Sequence, residues 1–150
     1  MEKFCPICGA FYQEDLTCQS VFDQFLALEF SNPAYGAVHF LTVSCYMIQH
    51  GRYSDIALIW IEKQLRDYFE TGISADQIRL QAGKEASQEI RDWKVNRQPG
   101  EPEQAKIAWT VTILDVALEY QDAESYIKQI EKWARATLDE MQPLIRKTAA

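Results

Sequence analysis

Apolar positions recur at helical spacing over most of the chain. Val21, Phe22, Phe25, Leu26 and Leu28 line one side of a segment over about 18–30, with Asp15 or Thr17 placed to cap its start. Asn32-Pro33 restarts the pattern, since Asn caps well and Pro suits the first helical turn. A second helix is therefore predicted from about Pro33 to His50, stopped by Gly51. A third begins near Ser54-Asp55, carries Ile56, Leu58, Ile59, Ile61 and Leu65, and closes at Thr71-Gly72. Ser74 with Gln77 three residues later is a capping box for a more polar helix over about 75–91.

The pattern then changes. Pro99, Gly100 and Pro102 punctuate a charged stretch, so residues 93–106 are predicted to be an exposed loop. Residues 107–113 alternate and are rich in β-branched side chains, which predicts one short strand. Thr112 with Asp115 also fits a capping box, so a helix start competes with that strand. A last helix is predicted from about Asp122 to Arg146, with Tyr126, Ile127, Ile130, Trp133, Ala134, Leu138 and Met141 at helical spacing. Residues 1–16 show no periodicity and read as a Cys-rich knuckle loop. The expectation is a mainly α fold: one domain over 1–150, a compact bundle of four to five helices with that loop at its N-terminus.

Composition narrows the classes. Length and a 47% hydrophobic content suit one globular domain that needs no disulfide staple. Lys and Arg number 15 against 22 Asp and Glu, a net charge of −7, which argues against nucleic acid as a partner. No stretch approaches 18 uninterrupted apolar residues and the first residues lack an export pattern. No membrane association and a cytoplasmic location are therefore expected. In that reducing compartment Cys5, Cys8, Cys18 and Cys45 read as thiols rather than disulfides. The partner expected is a small molecule or a protein, with a second copy of the chain as one candidate.

The chemistry concentrates at Cys5-Pro-Ile-Cys8-Gly9. Two thiolates two residues apart can grip one tetrahedral zinc ion from a tight turn, and a glycine after the second lets the backbone fold close to the sulfurs. No second Cys-x-x-Cys completes the set, so Cys18, Cys45, His39 and His50 are the remaining candidates, with carboxylates behind them. A thioredoxin-like use of Cys5 and Cys8 needs a preceding strand, and only four residues precede Cys5.

His39 and His50 lie 11 positions apart on the second predicted helix, nearly on one face with Tyr35 and Tyr46. A rise of 1.5 Å per residue separates them by about 16 Å, so one ion cannot take both from an unbroken helix. Antiparallel packing of the first two helices favours His50 as the partner of Cys18. A loop folded back over the bundle would instead reach His39. The stripe also fits an ordinary core face with two hydrogen-bonded histidines. Glu29 reads as a face residue, or else as a ligand or a group that orients a histidine. Gln49 could likewise orient a ligand or cap its helix.

Cys5-Pro-Ile-Cys8-Gly9-Ala10, Cys18, Tyr35-Gly-Ala-Val-His39-Phe-Leu-Thr-Val and Tyr46-Met-Ile-Gln49-His50, taken together, resemble an uncharacterised family of small, mostly bacterial proteins described only as a domain of unknown function. The later Trp93-Lys-Val, Trp109-Thr-Val-Thr-Ile-Leu-Asp115-Val and Trp133 are similar too, so the resemblance covers most of the chain. Ser44 departs from it, standing two before Tyr46 where an acid is expected. The resemblance implies no activity, but it groups Cys5, Cys8, Cys18, His39 and His50 as candidate metal ligands. Three classes follow. They are a zinc-binding protein whose metal pins the loop to the bundle, a metal-dependent enzyme open near His39 or His50, and a thiol-redox protein using Cys5 and Cys8.

Overall fold

The computed structural model describes residues 3–13, 15–72, 77, 96–102 and 104–149. Among these it is built from helices: α1 (Cys18–Ser31), α2 (Pro33–Gly36), α3 (His39–Gln49), α4 (Asp55–Thr71), α5 (Ile113–Glu119), α6 (Ala123–Glu140) and α7 (Gln142–Ala149). No sheet forms among the described residues, only isolated bridges such as Phe4 to Phe11 and Tyr53 to Asn96. The polar helix expected over 75–91 falls almost wholly outside the described residues. No described helix is long and apolar enough to cross a membrane.

Local chemistry explains most boundaries. Thr17 and Ser20 cap the start of α1 reciprocally, and the Ser54 hydroxyl accepts from Ala57 N–H at the start of α4. Gly72 ends α4 at φ +71, a left-handed conformation that glycine adopts without strain. Asp122 and Ser125 form the capping box of α6.

Two expected helices are broken. The segment from Pro33 to His50 turns at Ala37 and Val38, giving α2 and α3 in place of one rod. The reason lies at Gly36: a Cβ there would sit 2.7 Å from the Glu29 carbonyl oxygen. The chain thus passes hard against the end of α1 before α3 turns back alongside it. The last helix breaks at Met141, just before Pro143, whose ring cannot follow a helical interior but fits a first turn.

The short strand expected over 107–113 is also corrected. Ile107, Trp109 and Val111 do alternate with outward Ala108 and Thr110. Among the described residues no strand pairs with them; they pack against the core, and side chains from helices serve their backbone. Gln49 Nε2 donates to Val111 O at 2.9 Å, and Glu140 Oε1 accepts from Thr110 N–H at 2.9 Å. The competing capping box wins, with Asp115 accepting from Thr112 N–H at 2.8 Å and α5 starting at Ile113.

α3 packs extensively on α6, and the core between the helices holds Phe25, Leu41, Ile48, Tyr126, Ile130 and Trp133, all essentially sealed from water. The described part of the 93–106 loop is largely exposed, as expected, and Arg97 anchors it. Arg97 donates to Tyr53 O and Pro102 O and pairs with Asp55.

Candidate metal centre

The knuckle is a tight turn held by its own backbone. Cys5 N–H donates to Ala10 O at 2.8 Å, Gly9 N–H to Cys5 O at 3.0 Å and Tyr12 N–H to Lys3 O at 2.7 Å. Gly9 closes the turn at φ +81. This fold brings Cys8 N–H to within 3.4 Å of the Cys5 sulfur, a donor aimed at a thiolate. Cys5 and Cys8 both point inward and are buried.

Two helix ends complete the arrangement. Cys18 is the first residue of α1. His50 caps the C-terminal end of α3. The ligand atoms of Cys5, Cys8, Cys18 and His50 all lie within 4.8 Å of one another, and all four residues are buried. Cys8 and Cys18 sulfurs stand 3.5 Å apart, and Cys5 Sγ is 3.8 Å from His50 Nε2. Bonds of about 2.3 Å to sulfur and 2.0 Å to nitrogen at tetrahedral angles put ligand atoms roughly 3.5–3.8 Å apart. The four residues fit a single ion.

The histidine is prepared for that role. Its Nδ1 lies 2.8 Å from Tyr46 O, and a carbonyl can only accept, so Nδ1 carries the proton. In the neutral ring Nε2 then presents its lone pair to the sulfurs. Tyr46 stacks on the imidazole at 4.2 Å between centroids, Phe22 stacks on Tyr46 at 3.9 Å, and the Tyr46 hydroxyl donates to Gln19 Oε1. The ring is held in plane as well as in tautomer.

Proton affinities in the cluster follow its charge. The hydrogen bond from Cys18 brings Cys8 down to about 4, outweighing burial. Cys18, the donor of that bond, is pushed far up by it and by burial. Burial raises Cys5, but the backbone N–H groups of Cys8 and Ile7 and the Tyr12 hydroxyl bring it below the ordinary thiol range. Burial opposes charge on His50, yet the hydrogen bond and charge of Cys8 hold it above the usual imidazole range. The pocket stabilises thiolate at Cys5 and Cys8, whereas Cys18 and a protonated His50 would each have to give up a proton to bind a metal.

His39 does not join this group. Its Nδ1 lies 2.7 Å from Glu29 Oε1 at the opposite end of α3. Glu29 is buried and accepts further hydrogen bonds from the hydroxyls of Thr42, at 2.6 Å, and Tyr126. So Glu29 is neither an exposed face residue nor gathered with the thiols; it orients the other histidine. Cys45 is sealed in the core, and burial pushes it up to about 12. Gln49 holds Val111 O and Thr137 Oγ1. The supporting roles of Tyr12, Gln19 and Phe22 had no sequence signal beyond their closeness to Cys8 and Cys18.

No curated protein and no solved structure matches the chain. A family model does match, over residues 3–142, which takes in the knuckle, both histidines and the terminal tryptophan helix. The chain belongs to DUF5946, a family of unknown function.

Proposed function

We propose that this chain is a zinc protein in which Cys5, Cys8, Cys18 and His50 hold one ion that pins the N-terminal knuckle to the helical bundle. The convergence of four buried ligand atoms within 4.8 Å carries the reading. Three thiolates and one imidazole in a tetrahedral set favour zinc over harder cations, which prefer oxygen. Four protein ligands leave no position for an activated water, so the metal serves structure, and the protein works by binding in the cytoplasm. An open catalytic site would need three protein ligands, and His39 is engaged elsewhere. The test is metal content per chain after purification without added metal, in wild type and in a Cys5→Ser/Cys8→Ser variant. About one zinc in wild type, lost in the variant, is the expected result. Freshly reduced wild type without metal would overturn the reading and return the thiols to redox chemistry.

A further inference from the structure

Within the ligand cluster, Cys8 Sγ and Cys18 Sγ stand in hydrogen-bond contact at 3.5 Å, and both cysteines are free. The two sulfurs belong to different parts of the fold, one in the knuckle and the other on the first residue of α1. Cys5 is engaged on other sides, its sulfur 3.4 Å from Cys8 N–H and 3.8 Å from His50 Nε2. Cys45 lies apart from the cluster, sealed in the core. An S–S bond is about 2.05 Å long, so joining Cys8 to Cys18 from 3.5 Å asks each sulfur to move by about 0.7 Å. Cys8 is only 3% exposed, but its cover is thin. Ile7 and Gly9 on either side of it are exposed, and a Cβ built on Gly9 would meet nothing within 4 Å. Entry of a small oxidant therefore needs an opening of the knuckle and none of the helices.

We infer that Cys8 and Cys18 are an oxidative modification site, where a hydroperoxide acting on the metal-free chain closes a disulfide that fastens the knuckle to α1 in place of the ion. The inference deepens the reading above, since it concerns the metal-free form of the same ligand set. In the first step the Cys8 sulfur attacks one peroxide oxygen. An S–O bond forms as the O–O bond breaks, and the other oxygen leaves with the thiol proton as water. The Cys18 sulfur then attacks the Cys8 sulfur. The S–S bond forms, the S–O bond breaks, and the hydroxyl leaves with the Cys18 proton as a second water. The two sulfurs lose two electrons and the peroxide gains them, and a thiol reductant reverses the change. The choice of pair decides the consequence. A Cys5–Cys8 bond would close inside the knuckle and tie nothing to the bundle, whereas Cys8–Cys18 joins the same two elements that the ion joins.

The full chain, stripped by a chelator and desalted from reductant, is treated with hydrogen peroxide, its remaining thiols are alkylated, and its linkages are mapped by mass spectrometry. One intramolecular Cys8–Cys18 disulfide should be the main product. Proteolysis within residues 3–17 should then run at least about tenfold more slowly than in the reduced metal-free chain, and recover with a thiol reductant. Cys5→Ser should keep both the linkage and the protection, whereas Cys18→Ser should lose both, each variant being checked for its helical far-ultraviolet signal. The inference is overturned by a main linkage through Cys5, by disulfides between chains, by oxidation that stops at sulfinic or sulfonic acid, or by a Cys8–Cys18 bond that leaves proteolysis unchanged. Metal content is a separate readout. A wild type that holds zinc yet forms another linkage overturns this inference alone, and one that holds no zinc yet forms Cys8–Cys18 overturns only the zinc reading.

Discussion

At the scale of single residues, the centre depends on how His50 is presented. Tyr46 acts twice on it, through its carbonyl on Nδ1 and through its ring on the imidazole face. Removing the ring keeps the carbonyl, so Tyr46→Leu should leave the ligand set intact yet weaken metal binding by about tenfold or more. Competition with a coloured chelator reads this directly, and unchanged affinity would show the stack to be incidental. Cys45 supplies a second prediction. Burial raises it from 9.0 to about 12, and it raises Tyr53 from 10.0 to about 12. The folded protein keeps both protons in a range where the unfolded chain releases them. Their contribution is complete below pH 9 and declines as pH climbs from 9 towards 12. The urea midpoint should therefore fall across that window, and fall less steeply in Cys45→Ala. Parallel curves for the two proteins would remove Cys45 from the explanation.

At the scale of elements, most helix starts were legible because they rest on contacts spanning three residues. Thr17, Ser54, Thr112 and Asp122 all cap as their surroundings suggest. The breaks were not legible, because their causes lie elsewhere in the chain. Nothing between Pro33 and His50 announces that Gly36 must pass the Glu29 carbonyl. The alternation over 107–111 was a true signal of one face packed and one face open, but a period of two cannot say whether another strand is present. At the site, the knuckle spacing was legible, whereas the choice between His39 and His50 was not. That choice turns on the antiparallel path of α1 and α3, which places Cys18 near His50 and Glu29 beside His39. Gly36→Ala tests the close approach. The added Cβ meets backbone rather than a flexible side chain, so a loss of about 1–3 kcal/mol in unfolding free energy is expected. A wild-type denaturation curve would mean that α2 can shift away freely.

Across the whole molecule, α1 and α3 are fastened at both ends by different chemistry. One end carries the three-thiol, one-imidazole cluster, and the other the hydrogen bonds converging on Glu29. Between them the core of Phe25, Leu41, Tyr126 and Trp133 needs no metal to exclude water. Removing the ion should therefore release the knuckle before it melts the helices. Chelator-treated protein should keep its far-ultraviolet helical signal while limited proteolysis cuts within residues 3–17. Loss of helix in step with metal would make the ion a condition for the whole fold. X-ray absorption at the zinc edge of the purified protein tests the central claim most directly. Three sulfur neighbours at about 2.3 Å and one nitrogen at about 2.0–2.1 Å are the predicted shell. A shell with fewer sulfurs completed by water oxygen, or no zinc edge at all, would contradict a closed centre made by Cys5, Cys8, Cys18 and His50.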